Sequence, residues 1–76
     1  MALRVRLRLS DRELVDDLLD FLNRRECAGE RVEGTKNLVD VSLPHTLHEG
    51  QAQMELDLLL RVWEMLHPGV SVDRAS

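Results

Sequence analysis

Strict alternation of apolar and charged residues opens the chain. Its apolar members are Leu3, Val5, Leu7 and Leu9, and its charged members are Arg4, Arg6 and Arg8. A period of two is the pattern of a strand with one buried and one solvated face. A second alternation has apolar residues at Val39, Val41 and Leu43 and polar residues at Asp40 and Ser42. The pattern therefore predicts strands over Leu3–Leu9 and Leu38–Leu43.

Two segments have the three-to-four-residue apolar spacing of amphipathic helices. The first, over residues 11–25, begins at a capping box in which the Ser10 hydroxyl accepts a hydrogen bond from the backbone N–H of Glu13. The second begins at a capping box of Thr46 and Glu49, runs to about residue 66 and stops at a Pro-Gly pair. The predicted buried stripe of the second helix consists of Ala52, Leu56, Leu59, Trp63 and Leu66.

Weaker strand signals lie at residues 27–33 and 70–72, and turn-forming residues occupy positions 34–37. The resulting order, β-α-β-β-α-β, is that of the ferredoxin-like sandwich, an α+β fold with two helices on one face of a four-stranded antiparallel sheet. Its strand order, 4-1-3-2, would place the two most regular alternations at the centre. We expect a single domain over residues 1–73 and a frayed tail at residues 74–76.

Composition narrows the classes of protein that fit. A length of 76 residues allows one domain, and 43% hydrophobic with 32% charged residues is typical of a folded chain. The net charge of −4 argues against general nucleic-acid binding, which needs cations to displace counterions from phosphates. No apolar run approaches the roughly 18 residues that cross a bilayer. One cysteine and no export signal predict a cytoplasmic protein.

Two features suggest metal or thiol chemistry. His45 and His48 suggest a metal site with Cys27 or Glu49 as further ligands. Zinc needs three or four converging donors, and a lone His-x-x-His across a loop and a helix start does not supply them. We therefore expect solvated histidines and no metal ligand. Cys27 follows the carboxyl end of the first helix, where the helix dipole disfavours a thiolate, so we expect a buried or half-buried structural cysteine.

The remaining titratable residues do not predict catalysis. His67 lies in the last turn of the second helix, where a cation interacts favourably with the helix dipole, and it has no evident base partner. Asp16, Asp17 and Asp20 are expected on the solvated face of the first helix. Catalytic carboxylates need a pocket that shifts their pKa values. We therefore predict no catalytic residue, no cofactor-binding residue and a non-enzymatic function.

Three segments carry a resemblance. They are residues 21–25 (FLNRR), 39–44 (VDVSLP) and 55–63 (ELDLLLRVW), the last followed by His67-Pro68-Gly69. In these segments the chain resembles small uncharacterised bacterial α/β proteins, and the likeness covers most of its length. The resemblance implies a stand-alone domain. It implies no activity and no site residues.

One candidate partner surface lies on the second helix. Met54, Leu58 and Met65 fall on a flank away from the predicted buried stripe, so the apolar arc is wider than a one-sided surface helix needs. Two interpretations follow. Either this flank packs against the first helix or an edge of the sheet, or it contacts another chain, with methionine supplying adaptable packing.

The other candidate surface is the sheet face that the helices leave open, which carries Arg4, Arg6 and Arg8. Their predicted neighbours on adjacent strands are Asp40, Ser42, Ser71 and Asp73. Two carboxylates facing three arginines predict a locally basic face. It is either a solvated, partly paired surface or a site for an acidic partner, including the first-helix aspartates of a second copy.

These observations predict a small protein-interaction module that binds another protein or itself, as a homodimer, without a cofactor or a membrane. The alternative function is a nucleic-acid-binding domain that uses the arginine face. Sheets that bind RNA stack bases on strand aromatics. The only aromatic rings outside histidine are Phe21 and Trp63, both on predicted helices, which argues against this alternative.

Overall fold

The computed structural model describes residues 3–25, 27–43 and 49–75. Within these ranges the secondary structure consists of seven elements, among them a short 3-10 turn at Arg12–Leu14. The strands and helices are β1 (Leu3–Leu9), α1 (Val15–Asn23), β2 (Ala28–Arg31), β3 (Leu38–Leu43), α2 (Glu49–Leu66) and β4 (Val72–Arg74). The predicted bounds of β1 and β3 are confirmed.

The four strands form one sheet in the order β2-β3-β1-β4, and every neighbouring pair is antiparallel. Read from the other edge, the order is β4-β1-β3-β2. The prediction of an α+β fold with a four-stranded antiparallel sheet and two helices is confirmed. The two most regular alternations, β1 and β3, occupy the centre of the sheet, as their patterns predicted.

The core lies on one face of the sheet. Alternate residues of β1 and β3 are buried there, and both helices contribute buried side chains to the same cluster. The helix residues in the cluster are Val15, Leu18, Leu22, Ala52, Leu56, Leu60 and Trp63. Both helices therefore cover the same face of the sheet. Each large apolar side chain that is fully buried stabilises the fold by roughly 1.5–3 kcal/mol.

The start of the first helix differs from the predicted capping box. Asp11 caps a 3-10 turn by accepting from the backbone N–H of Glu13 at 2.9 Å. Ser10 instead pairs with Ser71: its Oγ and its N–H bond to the N–H and the carbonyl of Ser71, each at 2.9 Å. Ser10 therefore bonds to Ser71 and not to the helix, and Asp11, the next residue, provides the cap. The capping box predicted for Thr46 lies mainly outside the described residues.

The edge strand β2 packs closely on α1. Its residues Ala28–Arg31 pair with β3, so the strand is shorter than predicted. The N–H of Gly29 donates to Oδ1 of Asn23 at 3.1 Å. A Cβ at Gly29 would lie 2.8 Å from Cδ2 of Leu19. Glycine at this position lets the strand approach the helix.

The last strand lies further along the chain than predicted. A turn at residues 67–70, with Gly69 at a φ of 90°, includes Val70. The strand is Val72–Arg74, and the N–H of Ala75 donates to the carbonyl of Arg6 at 2.9 Å. The frayed tail predicted from residue 74 is therefore wrong for Arg74 and Ala75.

Candidate interaction surfaces

The outer side of α2 carries a row of large apolar side chains. The exposed fractions are 74% for Met54, 59% for Leu58, 42% for Val62, 80% for Met65 and 65% for Leu66. Spacings of three or four residues place them on one side of the helix over about 18 Å. We call these five residues the α2 stripe. Met54, Leu58 and Met65 do not pack against α1 or a sheet edge, so that interpretation is wrong.

The opposite side of α2 is the one that enters the core. Ala52, Leu56, Leu60 and Trp63 are all buried against the sheet and α1. Leu66, predicted to continue this buried side, belongs instead to the exposed stripe. A surface helix of a small domain needs only one apolar side. A second apolar side that is contiguous and exposed is the usual mark of an interaction site.

Polar contacts join one flank of α2 to the last strand. The guanidinium of Arg74 donates to Oδ1 of Asp57 at 2.7 Å and to Oε1 of Gln53 at 3.1 Å. The backbone N–H of Val72 donates to Oε2 of Glu64 at 3.0 Å. These contacts join one flank of the helix to β4. This flank lies beside the α2 stripe.

A shallow groove runs along the stripe. Met54 and Leu58 form its apolar part, and its polar margin is formed by Gln51, Glu55, Asp57 and Arg61. Arg61 is exposed and makes no ion pair within the part of the chain that the structure describes. The groove therefore combines an apolar floor with charges of both signs.

The open face of the sheet carries the three arginines of β1. The strand registers place Arg4 opposite Ser42, Arg6 opposite Asp40, and Arg8 opposite Asp73. All three arginines are exposed. Ser71, predicted as a further neighbour, precedes β4 and bonds to Ser10 instead.

Carboxylates balance this face. Arg6 and Asp40 form a two-point ion pair, with Nε to Oδ1 at 2.8 Å and the terminal nitrogen to Oδ2 at 3.2 Å. Arg4 reaches Oε1 of Glu30 at 3.4 Å. The strand residues of this face thus include three arginines and three carboxylates, because β2 adds Glu30. The expected excess of one arginine over the carboxylates, a locally basic face, is therefore wrong.

The Arg6–Asp40 pair shifts both ionisation equilibria. Its hydrogen bond, followed by its charge attraction, raises the pKa of Arg6 above its ordinary value. The same hydrogen bond lowers the pKa of Asp40, against a smaller opposing effect of burial, and the charges of Arg6 and Arg4 add to the lowering. Both groups therefore stay ionised at neutral pH, and they neutralise each other.

A polar cluster links α1 to the end of α2. The indole N–H of Trp63 donates to Oδ2 of Asp17 at 2.9 Å, and Nε2 of His67 lies 2.9 Å from the same oxygen. The His67 and Trp63 rings stack with centroids 4.3 Å apart. His67 therefore has a carboxylate partner, and Asp17 is not simply solvated. The sequence spacing i, i+4 predicts the Trp63–His67 contact, but no sequence signal points to Asp17.

The two ring nitrogens of His67 have different partners. Nδ1 of His67 lies 2.9 Å from the carbonyl oxygen of Trp63. A carbonyl only accepts, so Nδ1 carries the proton of that hydrogen bond. The other ring nitrogen faces Asp17. Both ring nitrogens are therefore engaged within the fold.

Cys27 is a core residue. Its exposed fraction is 5%, and its N–H donates to the carbonyl of Leu22 at 3.0 Å, which closes the end of α1. The burial predicted for this cysteine is confirmed. Among residues 3–25, 27–43 and 49–75, no three His, Cys, Asp or Glu side chains are grouped so as to hold a metal ion. His45 and His48 lie outside the described residues.

A broad depression lies where β1 leads into α1. Its lining includes residues 10–13, Lys36, Asn37 and Gly69. The amide of Asn37 donates to the carbonyl of Leu9 at 3.1 Å, and Ser10 and Asp11 bond to the backbone as described above. Because these three side chains already bond within the fold, the depression is a weaker candidate than the α2 stripe.

The known proteins offer no guide beyond this geometry. No protein family, no curated protein and no solved structure matches the chain. Of the helices in the described part of the chain, neither combines the length and the apolar character needed to cross a membrane.

Proposed function

We propose that this chain is a small, non-enzymatic protein-interaction module and that the α2 stripe is its binding surface. One observation carries the proposal: five large apolar side chains stand in contiguous, exposed positions on a helix whose other side is already buried. Covering them releases water from apolar surface, at roughly 25 cal/mol per Å². The domain gains nothing from this exposure when it is alone.

We also propose the fold group to which the chain belongs. We assign the chain to the ferredoxin-like sandwiches because each β-α-β crossover skips one strand of the sheet. β1 and β2 run parallel on either side of β3, and β3 and β4 run parallel on either side of β1. This topology supports the assignment. A fold of this kind hosts many functions, so the α2 stripe and not the fold carries the functional argument.

The arginine face gives less support to nucleic-acid binding. A phosphate backbone is bound by cations that are free to replace counterions. Arg6 is committed to Asp40, Arg4 contacts Glu30, and Arg8 lies opposite Asp73. A nucleic acid would have to displace these carboxylates and would meet no aromatic side chain on the strands.

The methionines provide a direct test. Two of the three methionines in the chain, Met54 and Met65, lie on the α2 stripe, and the third is Met1. Cells expressing the protein are grown with a diazirine analogue of methionine and irradiated, and crosslinked peptides are mapped by mass spectrometry. We expect protein adducts at positions 54 and 65. Irradiation that yields no adduct at either position would contradict the proposal.

Two variants control this experiment. Leu58→Lys places a charge in the middle of the stripe at a side chain that is already 59% exposed, so the core is unchanged. It should reduce the yield of adducts at Met54 and Met65. A triple Arg→Gln variant at Arg4, Arg6 and Arg8 alters the opposite side of the protein and should leave that yield unchanged. Equal yields from all three proteins would show that the adducts do not report on the stripe.

A further inference from the structure

We infer that the partner of the α2 stripe is the α2 stripe of a second copy of this chain, with the two helices antiparallel. The inference rests on the proposed function and names its partner. The twofold axis would pass close to residues 59–60. The two stripes would form a self-complementary contact of the kind found in twofold homodimers.

The stripe itself fits this symmetry. Leu58 and Val62 lie on either side of the midpoint, and Met54 lies about as far from it as Met65 and Leu66 do. An antiparallel pair centred there packs Leu58 of one copy beside Val62 of the other. It packs Met54 beside Met65 and Leu66. No large apolar side chain of the stripe is left without an apolar neighbour.

The charges beside the stripe favour the antiparallel arrangement. Asp57 and Arg61 lie one helical turn apart on the same flank, on opposite sides of the midpoint. In an antiparallel twofold pair each flank meets the same flank of the other helix. Asp57 of each copy therefore lies within reach of Arg61 of the other, and Oδ2 can accept from Arg61 while Oδ1 accepts from Arg74, which gives two ion pairs between the copies. Arg61 has no ionic partner among the described residues of its own chain.

The parallel arrangement is disfavoured by the same residues. In a parallel twofold pair each flank meets the opposite flank of the other helix at the same height. Asp57 of one copy would then lie near Glu55 of the other, and the pairing would place like charges together twice. Arg61 would lie beside the apolar Leu59 and gain no carboxylate. The distribution of charge therefore selects one orientation.

The size of the contact sets the expected strength of the dimer. A helix pair about 18 Å long lies at the small end of specific protein interfaces. We therefore expect a dimer that dissociates on dilution, and sedimentation equilibrium across micromolar concentrations should show the average mass rising from one chain toward two. Leu58→Lys should weaken the dimer about tenfold or more, because it removes one large apolar contact from each copy.

Charge exchange tests the register. Asp57→Arg and Arg61→Asp each replace two attractive contacts between copies with two repulsive ones, and each alone should weaken the dimer about tenfold. An equimolar mixture of the two variants should form a mixed dimer as stable as the wild type. In that mixture every Arg of one copy faces an Asp of the other. The double variant should also restore the homodimer.

A matched control isolates the contact within the chain. Asp57→Arg also removes the 2.7 Å contact between Asp57 and Arg74. Arg74→Gln removes that contact and leaves the flank of α2 unchanged, so it should retain the wild-type dimer. Circular dichroism and Trp63 emission check that each variant is folded.

The outcomes separate this inference from the proposed function. A wild-type chain that remains a monomer at every concentration, with adducts at Met54 and Met65 joined to other proteins, overturns the homodimer and leaves the proposed function standing. A dimer that survives Leu58→Lys overturns the α2 contact. A mixture of the charge variants that stays as weakly associated as each variant alone overturns the antiparallel register.

Discussion

The open face of the sheet and the outer side of α2 are the two surfaces that the sequence marks as candidates, and the fold treats them differently. On the sheet face, Arg4 and Arg6 contact carboxylates of neighbouring strands and Arg8 lies opposite one. On α2, the large apolar side chains of the stripe stay 42–80% exposed in the part of the chain that the structure describes. The first surface is largely satisfied by the fold, and the second is not.

This difference shows why exposure alone does not identify a binding surface. An arginine on a sheet loses little free energy when it exchanges water for a nearby carboxylate. Once it has formed such an internal ion pair, it gains less free energy from binding a partner. An apolar side chain in water gains free energy from any cover that fits. The contrast between the two surfaces is therefore a contrast between groups with partners and groups without them.

The largest expected effect concerns the two sides of α2. Trp63→Ala should destabilise the domain by about 3–5 kcal/mol, because it empties the space of the largest fully buried side chain. Leu58→Ala, on the exposed side, should change stability by less than about 0.5 kcal/mol. Urea unfolding followed by circular dichroism measures both. If the loss leaves Trp63→Ala without a folded baseline, its circular dichroism in the absence of urea already shows the unfolded state, and the emission of wild-type Trp63 provides a second check.

That emission should be blue-shifted and poorly accessible to a soluble quencher in the wild type, since Trp63 has no exposed surface. Red-shifted emission that is freely quenched would mean that the core side of α2 has been assigned wrongly. The position of the α2 stripe would then be wrong too.

A smaller loss of stability is expected from one of two neighbouring aspartates on α1 and not from the other. Asp17→Ala should destabilise the fold by roughly 1 kcal/mol, because it removes the acceptor of the buried Trp63 indole N–H and the partner of His67. Asp16, whose side chain is 81% exposed, contacts Arg31 at 2.7 Å and no other described side chain, so Asp16→Ala should cost at most a few tenths of a kcal/mol. Urea unfolding of both variants makes the comparison. Equal losses would show that the link between Asp17 and α2 contributes no stability.

The parts of the fold that could be predicted are those decided by local pattern. β1 and β3 lie at the centre of the sheet, where one face must be buried, and their period of two was sufficient to give their bounds. The edge strands were harder. Val70, Ser71 and Val72 have a local β pattern, but the turn at Gly69 and the pairing of Ser71 with Ser10 displace the strand toward the carboxyl terminus.

The surfaces depended on contacts between distant residues. The apolar flank of α2 could be recognised from periodicity, but whether α1 covers it depends on how the two helices pack. The register of β2 decides that Glu30 joins the arginine face, and no feature of the segment itself indicates that register. Asp17 and Trp63 are 46 positions apart, so their hydrogen bond appears only after folding.

The smallest expected effect lies on the sheet face. Replacing its three arginines one at a time should raise the pKa of Asp40 by graded amounts. Arg6→Gln should raise the pKa of Asp40 toward its ordinary value, because the two-point hydrogen bond is the main cause of its lowering. Arg4→Gln should raise it less, since Arg4 acts only through its charge, and Arg8→Gln should leave it unchanged. A lowered carboxyl pKa stabilises the fold above the unfolded-state pKa, about pH 4, and that contribution disappears as the pH falls through the folded-state value. The stabilities of wild type and Arg6→Gln should therefore differ at pH 7 and converge in acid.

Carboxyl chemical shifts measured by NMR across the acid range follow the ionisation of Asp40 directly, and urea unfolding at the two ends of the pH range follows stability. A shift in Arg4→Gln as large as that in Arg6→Gln would mean that the general field of the arginines, and not the Arg6–Asp40 pair, sets the ionisation of this face. The arginines would then be less committed to individual carboxylates, and the distinction between this surface and the α2 stripe would weaken.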